Sequence, residues 1–103
     1  MPKFLYIYHG GQSPETPEAQ NAVMRAWMDW IGGLGTSFID PGNPVGLSKT
    51  VSADGVGDGG GVNPASGYGM VEAASIDDAV RMARGCPILG DGGTVEVAEI
   101  HEM

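Results

Sequence analysis

Hydrophobic positions in this chain follow two periods, and the period switches at glycines, prolines and capping residues. The run Lys3-Phe4-Leu5-Tyr6-Ile7-Tyr8-His9 is apolar or aromatic at almost every position and stops at Gly10-Gly11, as expected of a central strand covered on both faces. Ser13-Pro14-Glu15-Thr16-Pro17-Glu18 then gathers helix-start signals. Thr16 is a capping residue, Pro17 suits the first helical position, and Glu15 and Glu18 complement the positive end of the helix dipole. Val23, Ala26, Trp27, Trp30, Ile31 and Leu34 recur at helical spacing, so a helix from near Pro17 is predicted to lay that face on a sheet. Met24 and Met28 flank the stripe as flexible gap fillers.

Thr36-Ser37-Phe38-Ile39-Asp40 reads as a short second strand, ended by the turn residues Pro41-Gly42-Asn43-Pro44. Residues 42–67 are the least regular stretch, rich in glycine, with one extended candidate at Ser48-Lys49-Thr50-Val51-Ser52. A connection of that length inside a compact domain reads as a Gly-rich hairpin or protruding arm, or as a solvent loop with no role. Tyr68-Gly69-Met70-Val71-Glu72-Ala73-Ala74 restores strand character. Ser75 stands three residues before Asp78, close to a capping box, and opens a helix with Ile76, Ala79, Val80 and Ala83 on one face. Gly85, as a left-handed stop, and Pro87 are predicted to end it. Thr94-Val95-Glu96-Val97-Ala98-Glu99-Ile100 alternates with period two, as a final strand does.

The order β-α-β, long connection, β-α-β predicts one α+β domain over residues 1–103 with a ferredoxin-like βαββαβ arrangement. In that arrangement four antiparallel strands carry both helices on one face. Phe4, Tyr6 and Tyr8 point opposite to Leu5, Ile7 and His9, and both sets are largely apolar. Helices from one chain cover only one side. The expectation is therefore a homodimer in which a second copy covers the other face and encloses a cleft between the two sheets.

Composition narrows the partners. With 103 residues, 42% of them hydrophobic, the chain is the size of a single domain. Thirteen acids against five bases give a net charge of -8, which repels phosphate backbones, so nucleic acid is not an expected partner. No apolar stretch reaches the roughly 20 residues of a membrane span, and the start lacks the pattern of a secretory leader. A cytoplasmic location without membrane attachment is the expectation. Cys86, the single cysteine, reads as a small buried hydrophobe.

Several local motifs together resemble the YCII-related family, including its DGPF-type relatives. They are Phe4-Leu5-Tyr6-Ile7-Tyr8-His9-Gly10, the Ala26-Trp27-x-x-Trp30 helix leading to Gly35, and the Asp40-Pro41-Gly42 turn. Gly67-Tyr68-Gly69, Ser75-x-x-Asp78-Ala79 leading to Gly85-Cys86-Pro87, and Gly93-Thr94-Val95-Glu96-Val97 complete the set. What the resemblance implies is a dimeric α+β barrel, the superfamily that also holds muconolactone isomerases and small cofactor-free monooxygenases. Some YCII-type proteins carry a first-helix histidine thought to work with an aspartate, and one branch is associated with dehydrochlorination of chlorinated aromatics. Here the first helix runs Ala22-Val23-Met24-Arg25-Ala26-Trp27 without a histidine, so that pair does not carry over by position.

Candidate chemistry centres on His9, at the end of an apolar strand beside two glycines that permit close approach of a ligand, with a side chain that titrates near neutral pH. Its alternative is a structural histidine bonded to a neighbouring loop. Asp40 is the candidate carboxylate partner, or else a turn-capping residue before Pro41. Tyr8, Trp27, Trp30 and Tyr68 are the candidate ligand-binding residues, with a core role as the alternative for the two tryptophans. Alternation in strands aims one of Glu72, Glu96 and Glu99 into a cleft and another to solvent. There is no G-x-S-x-G elbow, no paired cysteines for zinc and no phosphate-binding G-x-x-x-x-G-K-[ST] loop. Asp54-x-x-x-Asp58 lacks the acid spacing of a calcium loop. No cofactor or metal is expected. The chain reads as a binder of a small apolar or aromatic metabolite with cofactor-free acid/base chemistry at His9, or as a ligand-sensing or protein-interaction module.

Overall fold

The computed structural model describes residues 1–12 and 14–103; Ser13, one of the helix-start residues, lies outside the described set. In chain order the elements are β1 (Lys3–His9), α1 (Pro17–Leu34), a 3-10 turn (Gly35–Ser37), β2 (Phe38–Asp40), β3 (Lys49–Ser52), β4 (Gly55–Asp58) and β5 (Ala65–Glu72). They continue with α2 (Ile76–Ala83), a second 3-10 turn (Pro87–Asp91) and β6 (Thr94–Glu99). Strands β2, β5, β1 and β6 form one four-stranded sheet in that order, with every pairing antiparallel. This α+β arrangement is compatible with a ferredoxin-like fold. β3 and β4 pair only with each other, as a separate hairpin.

Local chemistry explains the helix starts. Thr16 Oγ1 accepts the Ala19 amide at 3.1 Å and Pro17 occupies the first turn. Ser75 Oγ accepts the Asp78 amide at 3.2 Å, with Asp77 and Asp78 in the first turn of α2. The end of α2 differs from expectation. Gly85 does not adopt a left-handed conformation; Arg84 continues right-handed as the C-cap. Gly85 is small for another reason: a Cβ there would lie 3.2 Å from the Trp30 ring.

The core forms on one side of the sheet. Phe4, Tyr6 and Tyr8 of β1, Phe38 of β2 and Val71 of β5 are buried against Ala79 and Ala83 of α2, with Cys86 and Ile88. Tyr6 reaches both helices: its hydroxyl donates to the Ala79 carbonyl, and its ring stacks on Trp30 of α1. Both helices therefore cover the face that carries Phe4, Tyr6 and Tyr8. The glycines of β5 make room on that face, since a Cβ at Gly69 would come within 2.8 Å of the Phe38 ring and one at Gly67 within 3.2 Å of Tyr8.

α1 departs from the expected stripe. None of its residues is buried, Ala26 is exposed, and Trp27, Trp30, Ile31 and Leu34 are only partly covered. Rings packed edge-on are the cause. Trp27 sits edge-on against Tyr8 at 5.1 Å and Trp30 against Phe38 at 5.3 Å, so the helix axis is held away from the strands.

Leu5, Ile7 and His9 point to the other side, with Met70 and Ala98 flanking Leu5 and with Tyr68 and Glu96 flanking Ile7. Leu5 and Ile7 are half-covered there, no helix among the described residues packs on that side, and His9 is met by the Pro64 carbonyl and Glu96. The molecule measures 44 × 42 × 18 Å with a radius of gyration of 14.8 Å, wider than the roughly 13 Å of a compact chain this long. It is one sheet and one helix layer thick, and the hairpin extends its width. No helix among the described residues is long and apolar enough to cross a membrane.

Candidate functional site

Two places carry the sequence-predicted residues, and they lie on opposite faces of the sheet. The first is an open cavity, a cleft of about 720 Å³ between α1 and the covered face that is broadly open to solvent. It exists because the aromatic props hold α1 off the strands. Tyr8, Val23, Met24, Trp27, Ile31 and Ile88 form its apolar wall. Gly10 and Gly11 after β1, and Pro41 to Pro44 after β2, form rims. Gly42 is required there: it holds φ +71°, and a Cβ would overlap the Tyr68 carbonyl oxygen at 1.7 Å. Polar groups on the wall come from Gln12, Gln20, Asn43, Ser66 and Asp91.

Tyr8 is 5% exposed, and its hydroxyl has no hydrogen-bond partner among the described residues. Burial pushes its pKa well above the ordinary phenol value, with small further contributions from Cys86 and Tyr6, so it stays neutral. A buried hydroxyl without a partner costs about 1–3 kcal/mol. Tyr6, by contrast, is satisfied by Ala79, and burial raises its pKa to about 12.

The second place surrounds His9 on the uncovered face. His9 is 9% exposed; its Nδ1 lies 3.2 Å from the Pro64 carbonyl oxygen and its Nε2 3.0 Å from Glu96 Oε1. Both partners are acceptors. A neutral imidazole donates from one nitrogen only, whereas imidazolium satisfies both contacts. The Glu96 hydrogen bond accordingly raises the His9 pKa above 6.5, against the opposing effect of burial. Pro64 closes the return of the β3–β4 arm, so His9 ties the arm to β6.

The expected His9–Asp40 pair does not form. β5 lies between β1 and β2 in the sheet, which separates the two strand ends. Asp40 Oδ1 instead accepts the Gly42 amide at 2.9 Å, the turn-capping alternative. Glu96 takes the carboxylate position beside His9. Its signal was the alternation of the last strand, but alternation alone does not say which strand end meets β1.

Of the four candidate ligand residues, Tyr8 and Trp27 wall the cavity. Tyr68 reaches the rim from β5 while its register with Ile7 places its ring on the uncovered face. Trp30 is committed to the core: its indole donates to the Met82 carbonyl at 3.0 Å. The single chain keeps a cavity within its own two layers. Sequence reasoning missed Asp91 and the Pro41–Pro44 rim as cavity residues. Cys86 is buried, and burial lifts its thiol to about 11, which leaves it protonated. Among the described residues no cluster of three or more His, Cys, Asp or Glu is placed to hold a metal.

No protein-family model matches this chain, and no curated protein matches it.

Proposed function

We propose that this chain is a small-molecule-binding domain whose site is the cavity between α1 and the sheet, and that it acts as a homodimer joined through the uncovered sheet face. The observation that carries the binding reading is the cavity itself, about 720 Å³ and walled by Tyr8, Trp27, Met24 and aliphatic side chains. That size and character suit a small apolar or aromatic molecule.

Proton transfer is the weaker reading at this site. Among the described residues the wall holds one carboxylate, Asp91, and no imidazole, because His9 stands on the opposite face. The dimer reading rests on Leu5, Ile7 and Met70, half-covered in the chain alone, and on an arm that exposes Leu47, Val51, Val56 and Val62. Two such faces packed together would make the dimeric α+β barrel that the YCII-type resemblance implies, and that family reading belongs to the proposal.

The binding test uses Trp30→Phe protein, in which Trp27 is the remaining tryptophan, titrated with small aromatic alcohols and amines while its emission is followed. A saturable change that vanishes when Val23→Phe, which fills the wall without adding an indole, is introduced into the same protein is expected. Absence of any saturable change across the set removes the reading. Light scattering at micromolar concentration tests the dimer, and a stable monomer refutes that half of the proposal.

A further inference from the structure

The binding cavity of the proposed function is electrically one-sided, and its contents narrow the ligand class. Among the described residues Asp91 is the charged side chain on the wall, and no lysine, arginine or histidine lines it. Asp91 has no ion-pair or hydrogen-bonded side-chain partner among the described residues, and it is half-exposed at the end of the second 3-10 turn. The chain's cations are engaged or placed elsewhere. Lys3 pairs with Glu102, Lys49 with Asp58 and Arg81 with Asp78, Arg25 lines a shallow depression on α1 beside Asp29, and Arg84 is exposed at the C-cap of α2. The net charge of -8 adds a negative field around the opening. Within the cavity Tyr8 and Trp27 meet edge to face at 5.1 Å, so aromatic surface and a carboxylate border the same volume. Aromatic faces and carboxylates both attract cations, and neither attracts anions.

We propose that the cavity selects small organic cations, amines carried on an apolar or aromatic frame, with Asp91 receiving the ammonium group and Tyr8 and Trp27 bordering the frame. This rests on the cavity being a binding site. A carboxylate ligand of the same size would meet Asp91 and the negative field without a compensating donor side chain of positive charge. A neutral ligand would fill the apolar volume and leave Asp91 unpaired.

The experiment is calorimetric titration of the full chain at pH 7 and low salt with three matched probes: benzylamine, benzyl alcohol and benzoate. Benzylamine should bind about tenfold or more tighter than benzyl alcohol, and benzoate weakest. Asp91→Asn should bring the amine down to the level of the alcohol measured on the same variant. Asp54→Asn, in the turn at the tip of the arm, changes net charge equally and should leave the amine preference in place, which separates contact at Asp91 from the general field. Benzyl alcohol or benzoate binding as tightly as the amine overturns the cation assignment while the cavity reading stands. An amine preference that survives Asp91→Asn overturns it as well. Failure of all three probes to bind removes the cavity reading, and the cation assignment falls with it.

Discussion

α2 and α1 cover the same sheet face in different ways. α2 presents alanines: Ala79 is wholly buried and Ala83 nearly so, and the helix approaches closely enough for Tyr6 to donate to its backbone. α1 presents Trp27 and Trp30, has no buried residue, and leaves a cavity beneath the stretch from Gln20 to Ile31. Small side chains bring a helix down onto a sheet, whereas large rings packed edge-on prop it away. One helix therefore builds the stable half of the domain and the other roofs the space that a ligand would enter.

Mutations that treat the two halves alike should have unlike effects. The largest is Tyr6→Ala, which empties the centre of the α2 side and should lower stability by about 3–5 kcal/mol. Trp27→Ala at the cavity wall should cost less than half as much in the same urea titrations. Equal losses would show that α1 is packed as tightly as α2. Next, Ala79→Leu overpacks the close contact and should cost about 1–3 kcal/mol, while Val23→Leu fills cavity space and should leave stability unchanged or raise it. A destabilising Val23→Leu would mean that the cavity wall cannot receive an added methylene.

Gly85→Ala sharpens the point at the seam between the helices, where a Cβ meets Trp30 at 3.2 Å. A loss of about 1 kcal/mol is expected, accompanied by a changed Trp30 fluorescence environment. An unchanged spectrum and stability would show that the ring has room to move. Smallest is the effect at the uncovered face, where His9 holds Pro64 and Glu96. Because its folded pKa lies above the unfolded value of 6.5, its contribution is complete below about pH 6.5 and fades as pH rises through the folded value. The melting temperature difference between the native chain and His9→Gln should therefore shrink from pH 6 to pH 9. A constant difference would rule out the doubly donating imidazolium.

Much of the architecture was legible in residue order. The caps at Thr16 and Ser75, the apolar run of β1 and the alternation of β6 are local signals, each set by interactions within a few residues, and each lies where expected. Gly69 was read as part of a strand and Gly67 as the end of the irregular stretch before it, yet their use is to admit the rings of Tyr8 and Phe38 from other strands. Gly85 was read as a helix stop, and its use is to admit Trp30. In both cases the deciding atom comes from a distant part of the chain.

The candidate site divides along the same line. Tyr8, Trp27 and His9 were identifiable from residue type and strand or helix position. The replacement of Asp40 by Glu96 beside His9 followed from strand order, because β5 stands between β1 and β2. Placement of the cavity under α1 followed from ring packing.

Sequence alone determined where helices and strands begin, which faces are apolar and which charges dominate, since these depend on neighbours in the chain and on side-chain chemistry. Only the tertiary structure decided that Tyr8 and His9, adjacent in sequence, serve opposite faces with different partners. Alternation along a strand separates adjacent side chains, and pairing between strands chooses what each one meets.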